Sequence, residues 1–317
     1  MKAVFLDYAT MGPDLDLTAL QQQFSELELF DDTVDDEIAA RIEDAEFVFT
    51  NKIRLTNELL RTAKNLRFIG LTATGTDNID LETAAAHGIA VANIRAYCTQ
   101  SVVEHVMGAM LMLAHSLHRY DTAVKAGDWQ RADQFCMLDY PVRQLSAMVL
   151  GIVGYGSLGQ GVADAARAFG MQVLVAARPG SNDVPDGKVA FEEMLAKSDV
   201  ISLHCPLTDE TRELFDAATI GRMKPGALLI NTARGALVDA DALVAALRSG
   251  HIAGAAIDVL AEEPPVNGNP LLDYDGANLI ITPHTAWAAD QARQNAIDEL
   301  TANAAAFLRG EERNRVV

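Results

Sequence analysis

Three residues in the last third of the chain are of the types needed for proton transfer to a ketone that carries a carboxylate. Arg234, Glu263 and His284 each follow a short apolar run typical of a buried strand. An imidazole exchanges a proton near neutral pH, and a neighbouring carboxylate favours its protonated form. A guanidinium binds a carboxylate through two parallel hydrogen bonds. Any one of these residues alone is more often structural, but the three in this order predict a catalytic site.

A glycine-rich loop in the middle of the chain is a second chemical signal. It lies between an apolar run, residues 149–153, and a helical run, residues 161–169. In the dinucleotide-binding fingerprint, the first glycine permits a tight turn, the second admits the pyrophosphate and the third lets strand and helix pack closely. Backbone N–H groups at the helix start then face the phosphates. We therefore predict that a dinucleotide binds on Gly154, Tyr155, Gly156, Ser157, Leu158 and Gly159.

The residues after the next strand bear on the identity of that dinucleotide. NAD is usually bound through an Asp or Glu about 20 residues after the glycine loop, which accepts a hydrogen bond from the ribose 2′-hydroxyl. Here the apolar run 173–175 is followed by Ala177 and Arg178, with no carboxylate at that place. Ala177 spares a 2′-phosphate from repulsion, and Arg178 can bind that phosphate. The sequence thus favours NADP over NAD; alternatively, Arg178 is a solvated turn residue that stacks on the adenine.

The elements that must position these residues form two series in which apolar runs alternate with helical stretches. Such alternation predicts parallel sheets covered by helices on both faces, and open sheets of this kind bind ligands at the carboxyl ends of their strands. In the first series the predicted strands are 3–6, 47–49, 66–69 and 89–91, with helices near 17–24 and 55–63. In the second series they are 149–153, 173–175, 200–203, 227–230, 253–257 and 279–281.

The segments around these two series are helical or irregular. A long helix is predicted over residues 99–120, with Ser101 as its N-cap and Glu104 completing a capping box. The polar segment 121–146 is longer than most loops in a compact domain, so we expect it to pack on something, for example a second subunit. A final amphipathic helix is predicted over residues 288–308.

The bulk composition limits the partners and the location of the protein. A chain of 317 residues has room for two domains. Its formal net charge of -19 argues against a nucleic-acid partner, since phosphate binding requires a basic surface. We find no apolar segment long enough for a membrane span or a signal peptide. The three cysteines, odd in number and widely spaced, indicate reduced thiols, so we expect a cytoplasmic protein.

A possible metal site on the predicted long helix is interpreted as ordinary packing. His115 and His118 lie three residues apart, near Glu104 and His105, and side chains of these types can ligate a metal. Histidines at helical spacing are more often solvated or packed. We therefore expect no metal.

Several segments, in a fixed order, resemble the D-2-hydroxyacid dehydrogenase family, and the resemblance extends over nearly the whole chain. They are residues 75–80, 101–105, the glycine loop, residues 204–208 and the segments around Arg234, Glu263 and His284. The resemblance implies that Arg234 anchors the substrate carboxylate, that His284 is the acid/base and that Glu263 is its partner. It also implies backbone contacts to the substrate from Thr74 and Gly75. The cofactor contacts it implies come from Cys205, Pro206, Thr232, Ala233 and Asp258.

The expected architecture is α/β, with two doubly wound parallel-sheet domains. A Rossmann cofactor domain, residues 99–285, is inserted in a flavodoxin-like substrate domain, residues 1–98 plus 286–317. The resemblance implies reversible hydride transfer between NAD(P)H and a small 2-keto acid, and it implies a homodimer. Segments 93–99 and 283–287 are most similar to family members that act on hydroxypyruvate, and we expect hydroxypyruvate or glyoxylate as the substrate. The alternatives are a dehydrogenase for another D-2-hydroxy acid and a nucleotide-sensing interaction protein on the same fold.

Overall fold

The computed structural model of the protein describes residues 1–181 and 183–317. These residues form two compact units, Met1–Cys98 with Ala288–Val317 and Thr99–Trp287. The chain therefore leaves the first unit, builds the second and then returns to complete the first. Among the described residues, none of the helices is long and apolar enough to cross a membrane.

The first unit is built on a parallel sheet. Its strands are β1 (Lys2–Phe5), β2 (Glu26–Leu29), β3 (Phe47–Thr50), β4 (Phe68–Leu71) and β5 (Ala90–Ala92). The helices between them are α1 (Thr18–Gln21), α2 (Asp35–Ile42), α3 (Asn57–Thr62) and α4 (Leu81–Ala86). The strand order is β2-β1-β3-β4-β5 with parallel pairing, which is the flavodoxin-like order. Every residue of β3 and β4 is buried, as expected for strands covered on both faces.

The second unit contains a larger parallel sheet. Its helices are α5 (Thr99–Ala114), α6 (Leu117–Lys125), α7 (Ser157–Ala168), α8 (Phe191–Lys197), α9 (Ala217–Arg222) and α10 (Ala240–Ser249). Its strands are β6 (Val149–Val153), β7 (Gln172–Val175), β8 (Val200–Leu203), β9 (Ala227–Asn231), β10 (Ile252–Ile257) and β11 (Leu279–Ile281). The order β11-β10-β9-β8-β6-β7 is parallel throughout. The last helix, α11 (Asp290–Leu308), belongs to the first unit. Together the two sheets confirm the predicted fold class.

The register of the second sheet aligns the carboxyl ends of its strands. Five residues, each the last of its strand, pair in one continuous row, so the segments that follow them emerge at one edge of the sheet. These segments include the glycine loop and the stretches that carry Arg234, Glu263 and His284. In open α/β sheets this edge is the ligand-binding edge, next to the point where the strand order reverses. The row consists of Val153, Leu203, Asn231, Ile257 and Ile281.

The long helix predicted over residues 99–120 is wrong in two respects. The structure divides it into α5 and α6, because Ser116 has φ 51°, a left-handed conformation that cannot continue a right-handed helix. The Ser116 hydroxyl donates to the Pro141 carbonyl oxygen at 2.8 Å, a contact that holds the break. The helix also begins at Thr99, so Ser101 lies inside the first turn and is not the N-cap. Its hydroxyl donates instead to the carbonyl oxygen of Ala286 at 2.7 Å.

Candidate active site

The glycine loop connects β6 to α7, and two of its glycines are required by the protein itself. Gly154 has φ 93°, and a Cβ atom there would lie 2.5 Å from the backbone nitrogen of Cys205. At Gly159 a Cβ atom would lie 2.1 Å from the carbonyl oxygen of Gly154. Any larger residue at either position would displace backbone. These two glycines therefore set the tight turn and the close approach of helix to strand.

The middle glycine has a different reason to be small. A Cβ atom on Gly156 would have no atom of the described residues within 4 Å, so the space beside it is open to a ligand. Gly156 is also the N-cap of α7, whose first backbone N–H groups can face a phosphate. The position thus fits the pyrophosphate of a dinucleotide.

Two buried polar atoms at the same edge also fit a polar ligand. Among the described residues, His204 Nδ1 and Thr232 Oγ1 have no hydrogen-bond partner. Each belongs to the residue that directly follows the aligned row, after Leu203 and Asn231. Buried polar atoms are normally paired, so unpaired ones mark the edge at which a polar group of a ligand is expected. Tyr155, Ser157 and Leu158 complete the loop at this edge.

An open cavity of about 520 Å³ lies beside the glycine loop and the end of β7. The residues that line it include Cys205, Pro206, Ala177, Arg178, Lys188, Asp209 and Glu210. The Arg178 side chain is 80% exposed, and its Nη1 lies 4.0 Å from Glu210 Oε2. An exposed pair at this distance contributes little to stability, so the guanidinium remains available to a ligand. Arg178 and Lys188 could therefore bind a phosphate in this cavity, whereas the carboxylates of Asp209 and Glu210 would repel it.

His284 and Glu263 are in direct contact. His284 Nδ1 lies 2.6 Å from Glu263 Oε2, and their side chains are 28% and 33% exposed. The other carboxylate oxygen of Glu263 accepts from the backbone N–H of Leu260 at 2.8 Å. A carboxylate accepts hydrogen bonds only, so Nδ1 carries the hydrogen and Nε2 is the ring nitrogen that can exchange a proton.

The loop that carries His284 is held by Asp258, the residue directly after β10. Asp258 is buried, and its carboxylate accepts from the backbone N–H groups of Thr285 and Ala286, each at 2.9 Å. The N–H of His284 donates to the carbonyl oxygen of Asp258 at 2.7 Å. These bonds offset the cost of placing His284 at φ 55°, since a non-glycine residue in the left-handed region is strained by roughly 1–3 kcal/mol. The structure thus places the Asp258 carboxylate against the loop of the predicted acid/base.

Arg234 lies in a tight turn after β9. The side chain of the buried Asn231 braces this turn, accepting from the N–H of Ala233 at 3.0 Å and donating to the carbonyl oxygen of Arg234 at 2.8 Å. A Cβ atom on Gly235 would lie 2.0 Å from the backbone of Leu260, so the turn packs directly on the segment that leads to Glu263. Arg234 itself is exposed at the sheet edge.

Sequence reasoning missed Asn231 and Gly235. The signals available were a polar amide at the end of an apolar strand and a glycine next to the candidate arginine.

Thr74 and Gly75 belong to the first unit, whereas the other predicted site residues belong to the second. They follow β4 at the carboxyl edge of their own sheet. The Asn93 side chain donates to the carbonyl oxygen of Thr74 at 2.7 Å, and the Thr74 hydroxyl donates to the carbonyl oxygen of Ile94 at 2.9 Å. These two hydrogen bonds hold the loop that contains Thr74 and Gly75 against Asn93 and Ile94.

Comparison with known proteins gives the same family over most of the chain. A family model described as D-isomer specific 2-hydroxyacid dehydrogenase, NAD binding domain, matches residues 107–286. The glycerate dehydrogenase of Methylorubrum extorquens is 43% identical over 99% of this chain and 98% of that protein. The hydroxypyruvate reductase of Blautia hydrogenotrophica is 38% identical over 100% of this chain and 99% of that protein.

Solved structures give the same architecture and two different cofactors. The D-lactate dehydrogenase of Aquifex aeolicus, complexed with NAD and lactic acid, superimposes with a TM-score of 0.83 at 31% identity. That match covers 98% of this chain and 96% of the other. An acyclic imino acid reductase in complex with NADPH and D-Arg superimposes with a TM-score of 0.87 at 27% identity, over the whole of both chains.

Proposed function

Because this chain belongs to the D-isomer specific 2-hydroxyacid dehydrogenase family and is an NAD(P)-dependent oxidoreductase of 2-keto acids, we propose that it reduces hydroxypyruvate to D-glycerate and glyoxylate to glycolate. The substrate is inferred from the relatives, which are named for glycerate, hydroxypyruvate and glyoxylate. The observation that carries the proposed reaction is the 2.6 Å contact of His284 with Glu263, at the edge where Arg234 and the glycine loop also emerge.

His284 is the proposed acid/base. When bound, the nicotinamide supplies the hydride that adds to the keto carbon. His284 Nε2 gives its proton to the carbonyl oxygen during reduction and takes a proton back during oxidation of the alcohol. Glu263 accepts the Nδ1–H, so the ring keeps its orientation and presents Nε2 to the substrate.

Arg234 is the proposed anchor of the substrate carboxylate. A guanidinium binds a carboxylate through two parallel hydrogen bonds and, beside the keto group, draws electron density from the carbonyl. Asn231 and Gly235 hold the turn that presents it. Thr74 and Gly75 are proposed as further backbone contacts to the substrate. On this assignment the substrate domain is residues 1–98 plus 286–317, and the cofactor domain is residues 99–285.

NADP is the proposed preferred cofactor. Arg178 and Lys188 can bind a 2′-phosphate, and the buried Ala177 places no carboxylate against it. The carboxylates of Asp209 and Glu210 line the same cavity and would repel a phosphate, so we expect the preference to be modest. Arg178→Ala should lower kcat/KM with NADPH about tenfold, the value of one charge-assisted hydrogen bond, with little effect on NADH. Equal losses with both cofactors would show that Arg178 binds something other than the 2′-phosphate.

The test of the proposed function is a panel of 2-keto acids assayed with NADH and NADPH by the loss of reduced-nicotinamide absorbance. Hydroxypyruvate and glyoxylate should have the highest kcat/KM values, and pyruvate should be poorer. Turnover only of larger keto acids would make the protein a dehydrogenase for another D-2-hydroxy acid. Cofactor binding without turnover of any keto acid would favour the nucleotide-sensing alternative.

We also propose a homodimer that forms through the segment after α6. Trp129, Phe135, Leu138 and Val142 are large apolar side chains exposed on this segment, Phe135 by 89% and Leu138 by 82%. Clusters of exposed apolar residues mark interaction surfaces. The double variant Phe135→Ser with Leu138→Ser should sediment as a monomer, while Val266→Ser, at another exposed apolar position, should not change the mass. A monomeric wild-type protein would contradict the proposal.

A further inference from the structure

We propose that His105, on α5, is a positioning residue for His284 and acts through the hydroxyl of Thr282 and the carboxylate of Asp258. The inference concerns a side chain that lies outside the range matched by the family model, residues 107–286. Its kinetic consequence rests on the proposed role of His284 as the acid/base. Its structural consequence, the placement of the His284 loop, does not.

Three interatomic distances define the contact. His105 Nε2 lies 3.3 Å from Thr282 Oγ1 and 3.9 Å from Asp258 Oδ1. Thr282 Oγ1 lies 2.5 Å from Asp258 Oδ1. Since an ionised carboxylate can only accept, the Thr282 hydroxyl hydrogen points to Asp258, and the hydroxyl oxygen is left to accept from His105 Nε2–H. The contact therefore orients the hydroxyl and leaves the Nε2 nitrogen of His105 as its donor.

Asp258 links the oriented Thr282 hydroxyl to the backbone of the loop that carries His284. Asp258 is 2% exposed, and its Oδ1 accepts from both the Thr282 hydroxyl and the N–H of Thr285. Its other oxygen accepts from the N–H of Ala286. A buried carboxylate is stable only while its hydrogen bonds are kept. Among the described residues, the donors to this carboxylate are Thr282, Thr285 and Ala286, all from the loop. Loosening the Thr282 hydroxyl therefore weakens the hold on residues 282–286.

A second side chain of α5 contacts the far end of the same loop. The Ser101 hydroxyl donates to the carbonyl oxygen of Ala286 at 2.7 Å. Residues four apart in a helix lie on the same face, so Ser101 and His105 form one surface of α5 that faces both ends of the loop. The two contacts together explain how a histidine at φ 55° keeps one orientation.

The kinetic test compares His105→Leu with His105→Gln. Leu removes the donor, so kcat should fall about tenfold, the effect of one buried hydrogen bond, while KM and the dissociation constant of NADPH change less than about twofold. The side-chain amide of Gln can donate to Thr282 and should restore most of kcat. Thr282→Val should reproduce the loss and Thr282→Ser should not. His118→Leu, an exposed histidine on α6, is the matched control and should retain wild-type kinetics.

A spectroscopic test separates this inference from the proposed function. The chain has seven histidines, so the ring resonance of His284 can be assigned by single substitution in the protein without substrate. His105→Leu should shift or broaden that resonance and leave the resonances of His87 and His251 unchanged. If the wild-type protein reduces no keto acid, this measurement still tests the positioning of His284.

Either of two kinetic or spectroscopic results would overturn the proposal, and so would a purely thermal effect. One is an unchanged His284 resonance together with wild-type kcat in His105→Leu. The other is an equal loss in the Leu and Gln variants with normal activity in Thr282→Val, which would show that the ring packs against the loop and that its hydrogen bond is unimportant. A lower melting temperature in His105→Leu without a change at His284 would likewise assign His105 to stability alone.

Discussion

Each unit contains a buried aspartate near the carboxyl end of a strand that binds the backbone of a neighbouring loop. In the first unit the Asp7 carboxylate accepts from the N–H groups of Asn51, Lys52 and Ile53, at 2.9, 2.6 and 3.3 Å. In the second unit Asp258 accepts from two backbone N–H groups of the loop that follows β11. In both cases backbone N–H donors offset the cost of burying the carboxylate.

The two aspartates differ in what their loops carry. The described donors to the Asp7 carboxylate are backbone N–H groups. The loop that it holds contains no member of the Arg234, Glu263 and His284 set. Asp258 is also bonded to the Thr282 hydroxyl, and its loop holds His284 in a strained conformation. A buried aspartate bonded to loop N–H groups therefore stabilises a loop in the first unit. In the second unit the same arrangement also orients the imidazole of His284.

The largest expected effect tests whether the second loop is catalytic at all. His284→Ala should lower kcat about a thousandfold, the contribution of a positioned general acid. The dissociation constant of NADPH, measured by fluorescence titration, should stay within about threefold, because the glycine loop is untouched. His118→Ala serves as the control. If kcat of His284→Ala stayed within tenfold of wild type, the loop that carries His284 would not be catalytic and would resemble the Asp7 loop.

Arg234→Lys tests the other half of the proposed site. Lysine keeps the charge and loses the planar pair of donors, so kcat/KM for the keto acid should fall on the order of thirtyfold to a hundredfold. Steady-state kinetics should show a raised KM and a lowered kcat. Arg248→Lys, at an exposed arginine on α10, should change neither. An unchanged KM for the keto acid would count against Arg234 as the anchor.

A matched pair of substitutions compares the two aspartates directly. In Asp7→Asn and Asp258→Asn an amide NH₂ group replaces a carboxylate oxygen and cannot accept from the backbone N–H groups. Each variant should therefore lose about 2 kcal/mol of unfolding free energy. Asp258→Asn should also lose roughly thirtyfold in kcat, because the loop that orients His284 is released. Asp7→Asn should keep kcat within about threefold. Equal kinetic losses in the two variants would mean that the Asp7 loop serves the reaction as well.

A pH titration of stability should report on the second sheet edge through His204. Burial lowers the pKa of His204 from 6.5 to about 4. The unfolded chain takes up a proton as pH falls below 6.5 while the folded protein does not, so stability present above pH 6.5 is lost as pH falls towards 4. The loss should reach about 3 kcal/mol in urea unfolding. His204→Gln should flatten this dependence, and His118→Gln should leave it unchanged; a flat wild-type profile would refute the assignment.

The sequence predicted correctly those strands that are buried on both faces of a sheet. The six strands predicted for the second unit are present, because strands covered on both faces are continuous apolar runs. The first unit contains β2, Glu26–Leu29, which was missed since it alternates acidic and apolar residues at the sheet edge and is only partly buried. The acidic helix α2 was missed for a similar reason, as few of its residues face the core.

The sequence by itself determined the glycine spacing and the order of Arg234, Glu263 and His284 along aligned strands. These are local patterns, and strand alternation carries them to one edge of a sheet. The tertiary structure alone decided the left-handed conformation of His284, the role of Asp258 and the break of the long helix at Ser116. The reason is that each depends on partners distant in the chain. His105 and Thr282, for example, are 177 residues apart, and local sequence periodicity cannot predict a contact between them.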